Sequence, residues 1–245
     1  MIVVLTGASR GMGRALAVQS LQPGTHLLTL ARRPDPALAD LVPDGGRLTQ
    51  WAVDLADAPA AAARLADWLD GQQPDDATLI NNAATLSGPG PLREGDPAEL
   101  ALAVRVGLEA PLLLTAAFLR ATADWSTDRR VLNISSGLGR RPMAGSADYC
   151  AVKAGLDNFS ASVALEEAGR PHGARIVALA PGVIDTDMQV QLRGADRSRF
   201  PEGDRFEQLR TTGRLDSPEQ AAAKVLAYLA RPDFGSTPVA DVRDA

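Results

Sequence analysis

Short apolar runs alternate with longer amphipathic stretches along most of the chain. Residues 2–5, 27–31, 48–53, 78–80, 130–135, 175–179 and 237–242 are brief and rich in Val, Ile, Leu and Ala. Near-continuous apolar runs of this kind predict strands buried on both faces. Between them, helical spacing covers residues 14–21, 36–42, 57–69, 96–121, 149–167 and 217–230. Asp57, Asp96 and Ser217 stand where N-caps belong, with Pro97 and Pro218 at first helical positions. Pro111 predicts a kink inside the 96–121 helix. This alternation predicts an α/β protein: a single doubly wound domain over residues 1–245, with a mostly parallel seven-stranded sheet and helices on both faces. One stretch resists the pattern. Residues 185–213 are polar and interrupted by Gly194, Pro201 and Gly203. Following a strand, they read as a lid-like insertion.

Composition narrows the class. Apolar residues make up 45% and charged residues 22% of the chain, as in a soluble globular protein. The net charge is −5 and no basic stripe is visible, which argues against a nucleic-acid partner. The single cysteine, Cys150, excludes an intramolecular disulfide and fits a reducing compartment. The first apolar run lacks the length and charged start of a signal peptide, and the most apolar window, 110–119, is below membrane-spanning length. The expectation is a cytoplasmic protein with no membrane partner. His26 and His172 show no ligand spacing, so no metal site is expected.

The chemistry begins at the first strand. Residues 6–13 read TGASRGMG and lead into a helix. Gly7, Gly11 and Gly13 allow a tight turn and close backbone approach, and a helix N-terminus offers free N–H groups to a pyrophosphate. The second strand ends at Arg32 and Arg33, where an acid would accept a ribose 2′-OH. Two arginines there suit a 2′-phosphate, with Arg10 a third candidate, and point to NADP(H). Asp54, after the third strand, either accepts from an adenine amino group or caps a turn. Asn81, Asn82, Ala83 and Ala84 suit a backbone packed against a ribose.

Tyr149 and Lys153 are four residues apart, on one face of a predicted helix. A phenol beside an ammonium is a proton donor whose pKa the cation lowers. Ser136, at the end of the fifth strand, brings a hydroxyl toward that phenol. Lys153 and Lys224 are the only lysines among 25 Lys and Arg, so a point-charge ammonium is kept here in a chain that otherwise uses arginine.

Taken together, the 6–13 turn, Asn81-Asn82-Ala83, Asn133-Ile134-Ser135-Ser136, Tyr149 with Lys153, and Pro181-Gly182 with Thr186 resemble the short-chain dehydrogenase/reductase family over essentially the whole chain. The resemblance implies a Rossmann-type domain. It implies NAD(P)(H) held by Gly7, Ser9, Arg10, Gly11, Met12, Gly13, Arg32, Arg33, Asp54, Leu55, Asn81, Ala83, Tyr149, Lys153, Pro181, Gly182, Thr186 and Met188. Tyr149 would be the general acid/base and Ser136 the partner of the carbonyl oxygen. Lys153 would hold the nicotinamide ribose and lower the Tyr149 pKa, and Thr186 would contact the carboxamide.

Residues 133–136, 149–151, 164–167, 185–189 and the C-terminal Asp241 resemble a narrower group, the sepiapterin reductases, in which a C-terminal Asp anchors the pterin. That likeness implies an NADPH-dependent carbonyl reductase of a vicinal dicarbonyl substrate such as sepiapterin or a related pterin, contacted by Ser136, Tyr149 and Asp241. Relatives of the group also reduce benzil-like diketones. A homodimer pairing long helices through Leu112, Leu113 and Phe118 is implied as well, though these residues also suit a core. The chain departs from the family at Ala84, for the usual Gly, and at Gly107, for the usual Asn that supports a relay water behind Lys153. Gly107 is the one feature favouring a rival reading, a non-catalytic NADP-sensing protein.

Overall fold

The computed structural model describes residues 1–72 and 74–244. Its strands are β1 (Ile2–Thr6), β2 (His26–Ala31), β3 (Arg47–Ala52), β4 (Asp76–Asn81), β5 (Asp128–Ile134), β6 (Arg175–Ala180) and β7 (Val239–Asp241). They form one sheet in the order β3-β2-β1-β4-β5-β6-β7. Every pairing is parallel, where the sequence predicted a mostly parallel sheet. Val4 at the centre pairs with Leu28 on one side and Leu79 on the other. The order in which strands are added reverses between β1 and β4, and in such sheets ligands bind outside the strand C-termini at that point.

The helices are α1 (Gly11–Ser20), α2 (Ala58–Asp70), α3 (Pro97–Val104), α4 (Ala110–Ala121), α5 (Ala147–Ala168), α6 (Asp187–Arg193), α7 (Gly203–Thr211) and α8 (Pro218–Leu229). On one sheet face, Leu16 and Ala17 of α1 and Ala221 and Val225 of α8 pack on Val3, Leu5 and Leu179. On the other, Leu65 of α2, Leu114 and Phe118 of α4 and Val163 of α5 pack on Val4, Leu28 and Val131. Phe118 is fully buried and belongs to this core. Burial of such a side chain contributes about 1.5–3 kcal/mol.

Three expectations are corrected. The helix at 36–42 is a 3-10 segment, Pro36–Leu41, opened by Asp35 accepting from the Ala37 amide at 3.1 Å. The 96–121 helix is continuous but contains a π-helical segment at Arg105–Glu109, just before Pro111. Pro111 has no N–H to return to the carbonyl four residues back, that of Gly107, so the irregular turn falls there. At 25 residues this helix is long and apolar enough to cross a membrane by length and composition alone, which the 110–119 window did not suggest. It packs instead as a core helix through Ala103, Ala110, Leu114 and Phe118. Finally, the polar stretch at 185–213 holds α6 and α7 rather than irregular chain.

Candidate active site

The cofactor edge is built from β1, α1 and the end of β4. Gly7 and Gly11 take φ of +74° and +53°. A Cβ on Gly13 would lie 2.0 Å from the Gly7 carbonyl oxygen, so the turn closes only without side chains there. Thr6 Oγ1 accepts from the amides of Asn82 (2.9 Å) and Ala83 (3.0 Å), and Asn82 Nδ2 donates to the Thr6 carbonyl (2.9 Å). These bonds lock the β1 and β4 ends together. Arg10 caps α1 without a side-chain hydrogen bond, and the first turn carries no acid. The N–H groups at this helix start are therefore free for an anion. This cradle fits a dinucleotide pyrophosphate.

Arg32 and Arg33 are exposed beyond β2 and take no ion-pair partner among the described residues. The nearby acid, Asp35, is engaged by Arg14 Nε at 2.7 Å, which removes it as a rival for the arginines. Arg10 instead pairs with Asp187 at the start of α6, at 2.8 Å. Asp54 is exposed and accepts from the Ala56 amide at 3.0 Å, so its turn-capping role is realised, while Leu55 is buried beside it. The Asn81 side chain turns into the protein, donating to Thr115 Oγ1 (3.2 Å) and Asn133 Oδ1 (2.8 Å). Only its backbone reaches the cofactor edge. Pro181 is buried and Gly182 has φ +87°. Thr186 Cγ2 lies 3.5 Å from where a Gly11 Cβ would stand, and Met188 packs into the cluster described below. Ser9 and Met12 lie within the turn and the first turn of α1.

Helix α5 sets Tyr149 and Lys153 one turn apart, and the end of β5 delivers Ser136. Lys153 is buried and donates to the Ile134 carbonyl at 2.7 Å. Its Nζ lies 5.6 Å from the Tyr149 ring centroid. Burial pushes the Tyr149 phenol up to about 12, against a hydrogen bond from Ser136 that favours phenolate. Burial also pushes Lys153 down to about 8, against the attraction of Asp157. The sequence-based expectation of a lowered phenol pKa is therefore corrected: enclosure dominates, and the Lys153 ammonium is bonded to the Ile134 carbonyl.

What stands behind this group is barely marked in the sequence. Asp157, one turn beyond Lys153, accepts from Ser135 Oγ and lies 3.8 Å from Arg140 Nε. A four-residue step from Lys153 was its only signal. Equally unmarked is a third apolar cluster flanking the site. Met143, Leu192, Phe200 and Phe206 are buried in it, with Leu138, Cys150 and Met188 packed alongside. Phe200 and Phe206 stack at 5.8 Å. The spacing of these residues across α6, α7 and two loops left no periodic trace. Ser87 Oγ, from the loop after β4, donates to Asp148 Oδ2 at 2.7 Å beside Tyr149.

Asp241 ends β7 and is buried, with 5% of its surface exposed. It accepts from Arg243: from the amide at 3.0 Å, Nε at 2.8 Å and Nη2 at 2.5 Å. These bonds hold its carboxyl below the usual range. Both oxygens are thus engaged within the chain's own C-terminal turn.

A glycine-rich turn at the switch point, with a serine, tyrosine and lysine converging beside it, has close counterparts. The chain belongs to the short chain dehydrogenase family, which its residues 1–197 match. It is 35% identical to a benzil reductase ((S)-benzoin forming) of Bacillus cereus, over 95% of each chain. It is 36% identical to the sepiapterin reductase of Meriones unguiculatus, over 99% of this chain and 96% of that one. A metagenomic short-chain oxidoreductase solved in complex with NADP superposes with a TM-score of 0.74 at 30% identity, covering 98% of this chain and 95% of the other. The chain is an oxidoreductase of this family.

Proposed function

We propose that the protein is an NADPH-dependent reductase of vicinal dicarbonyl compounds, with flat apolar or aromatic flanks favoured over a pterin. The observation that carries this reading is the apolar cluster of Leu138, Met143, Cys150 and Met188, joined to the site through Cys150, the residue after Tyr149, and set against an Asp241 carboxylate already engaged by Arg243. A pterin edge would have to displace Arg243 to reach that carboxylate. The benzil reductase relative supports the same preference. Bound NADPH supplies the hydride to one carbonyl carbon. Tyr149 donates its proton to the carbonyl oxygen, and Ser136 donates a hydrogen bond to that oxygen as its charge grows. Lys153 holds a ribose and keeps positive charge near the phenol. Arg32 and Arg33 bind the 2′-phosphate. The α6–α7 segment acts as the lid.

A homodimer belongs to this reading. Leu112 and Leu113 are half-buried and Leu165 on α5 is 78% exposed, as a helix-pairing face would leave them. Light scattering on the purified chain reads the mass directly.

The functional test is NADPH oxidation with benzil, sepiapterin and a simple ketone. The reading expects benzil to have the highest kcat/KM. Turnover of none of the three would remove the reductase assignment, and a preference for sepiapterin would return the pterin.

A further inference from the structure

One buried charge in the site is left unexplained by that chemistry. Asp157 has 6% of its surface exposed, and its Oδ2 takes no hydrogen bond among the described residues. A buried carboxylate oxygen without a donor is costly unless charge nearby compensates it. Three groups face it from the elements packed around it. Ser135, at the end of β5, donates to Oδ1. Arg140, in the loop after Ser136, brings Nε to 3.8 Å from Oδ2. Lys153, four residues before it on α5 and so on the same helix face, is the remaining cation, its Nζ bonded to the Ile134 carbonyl at 2.7 Å. Burial is the largest influence and raises the Asp157 pKa, and all three groups act against it in favour of the ionised carboxylate. The backbone loop closes on the same spot: a Cβ on Gly139 would lie 2.6 Å from Asp157 Oδ2 and 2.9 Å from the Lys153 carbonyl oxygen.

Ser135 and Arg140 bracket Ser136 in sequence. Asp157 therefore joins the segment that carries Ser136 to the helix that carries Tyr149 and Lys153. We propose that Asp157 is a positioning residue with two duties: its Oδ1 tethers the Ser136 segment to α5, and its charge is the counter-ion of the Lys153 ammonium. The first duty fixes the distance between Ser136 and Tyr149. The second keeps Lys153 protonated in an enclosed site. The role in turnover rests on the reductase reading above, whereas the charge relationship does not.

Two variants separate the duties. Asp157→Asn keeps an acceptor for Ser135 and removes the charge. Ser135→Ala keeps the charge and removes the tether. The chain contains two lysines, so a sample labelled with 13C at lysine Cε gives two resonances, and exposed Lys224 serves as the internal reference. In Asp157→Asn the Lys153 resonance is expected to titrate about one pH unit lower than in the wild type, as loss of a near counter-charge requires. In Ser135→Ala it is expected to titrate as in the wild type, while kcat for benzil falls about tenfold with little change in KM. If Asp157→Asn fails to fold, Asp157→Ala, which leaves space rather than a mispaired amide, is titrated instead with the same expectation. An unshifted Lys153 titration in the folded Asp157 variant would overturn the counter-ion, and unchanged kcat in Ser135→Ala would overturn the tether. A merely structural residue would lower the melting temperature without moving the Lys153 titration. A chain that reduces none of the carbonyls tested would sink the functional reading and still leave the titration readable.

Discussion

A Cβ added to Gly107 would lie 2.6 Å from Val152 Cγ1. The π-helical turn at Arg105–Glu109 presses this buried glycine against α5, one residue before Lys153. The family's usual Asn at this position has no room here. Overpacking of this kind costs about 1–3 kcal/mol. Gly107→Asn is therefore expected to lower the melting temperature and, through Val152, to disturb Lys153 and reduce kcat. Adding Val152→Ala should restore part of both. A thermal melt of the two single variants and the double variant checks this: full additivity would contradict the contact. The non-catalytic reading loses its footing in consequence, because the missing Asn reflects close packing and its carbonyl remains without an α-helical donor from Pro111.

Cofactor choice tests the second strand. Arg32 and Arg33 are exposed, and the nearby acid Asp35 is taken by Arg14. A charge-assisted hydrogen bond is worth about 1.5–3 kcal/mol, roughly 10- to 150-fold. Replacing both arginines by Ala should raise KM for NADPH by a factor in that range and leave KM for NADH nearly unchanged. Equal kcat/KM for the two cofactors in the wild type would contradict the assignment.

The pH dependence follows from Lys153. Its folded pKa is depressed to about 8, so the charged form dominates below that pH and is lost above it. Tyr149, held near 12, keeps its proton throughout this window. The reduction rate should therefore decline on the basic side around pH 8 through Lys153, with the phenol still protonated. The linkage to stability has the opposite sign for the lysine: between about 8 and its ordinary value near 10.5 the unfolded chain binds more protons, so this group's penalty on the fold is relieved as pH rises. A kcat profile flat to pH 10 would contradict the assignment.

Asp241 separates the two substrate classes. Asp241→Asn weakens the pairing with Arg243 and is expected to lower activity on benzil and sepiapterin by the same small factor. A loss confined to sepiapterin, about tenfold or more, would place the pterin edge on this carboxylate after all.

Much of this architecture was legible in the sequence because each element carries its own signal. Apolar runs such as Ile2–Thr6 mark strands that both sheet faces bury, and Asp57, Asp96 and Ser217 cap their helices through side-chain acceptors as their positions suggest. Tyr149 and Lys153 fall together because helical spacing alone aligns them. What stayed hidden depends on contacts between distant segments. Asn81 looks like a cofactor residue in sequence, yet its amide is used by Thr115 and Asn133 inside the core. Asp241 looks free until Arg243 folds back on it. Phe200 and Phe206 sit in a polar stretch whose burial arises only when α6 and α7 close on Met143. The direction of the Tyr149 shift also needed the structure, since spacing shows that a cation is near but not how enclosed the phenol is.

The most direct test of the account compares wild type with Tyr149→Phe in initial rates of NADPH oxidation with benzil, alongside NADPH binding by fluorescence. The substitution removes the proton donor and keeps the ring. The account predicts a wild-type reaction that falls at least about 10²-fold in the variant while NADPH still binds. Near-equal rates in the two proteins would contradict it.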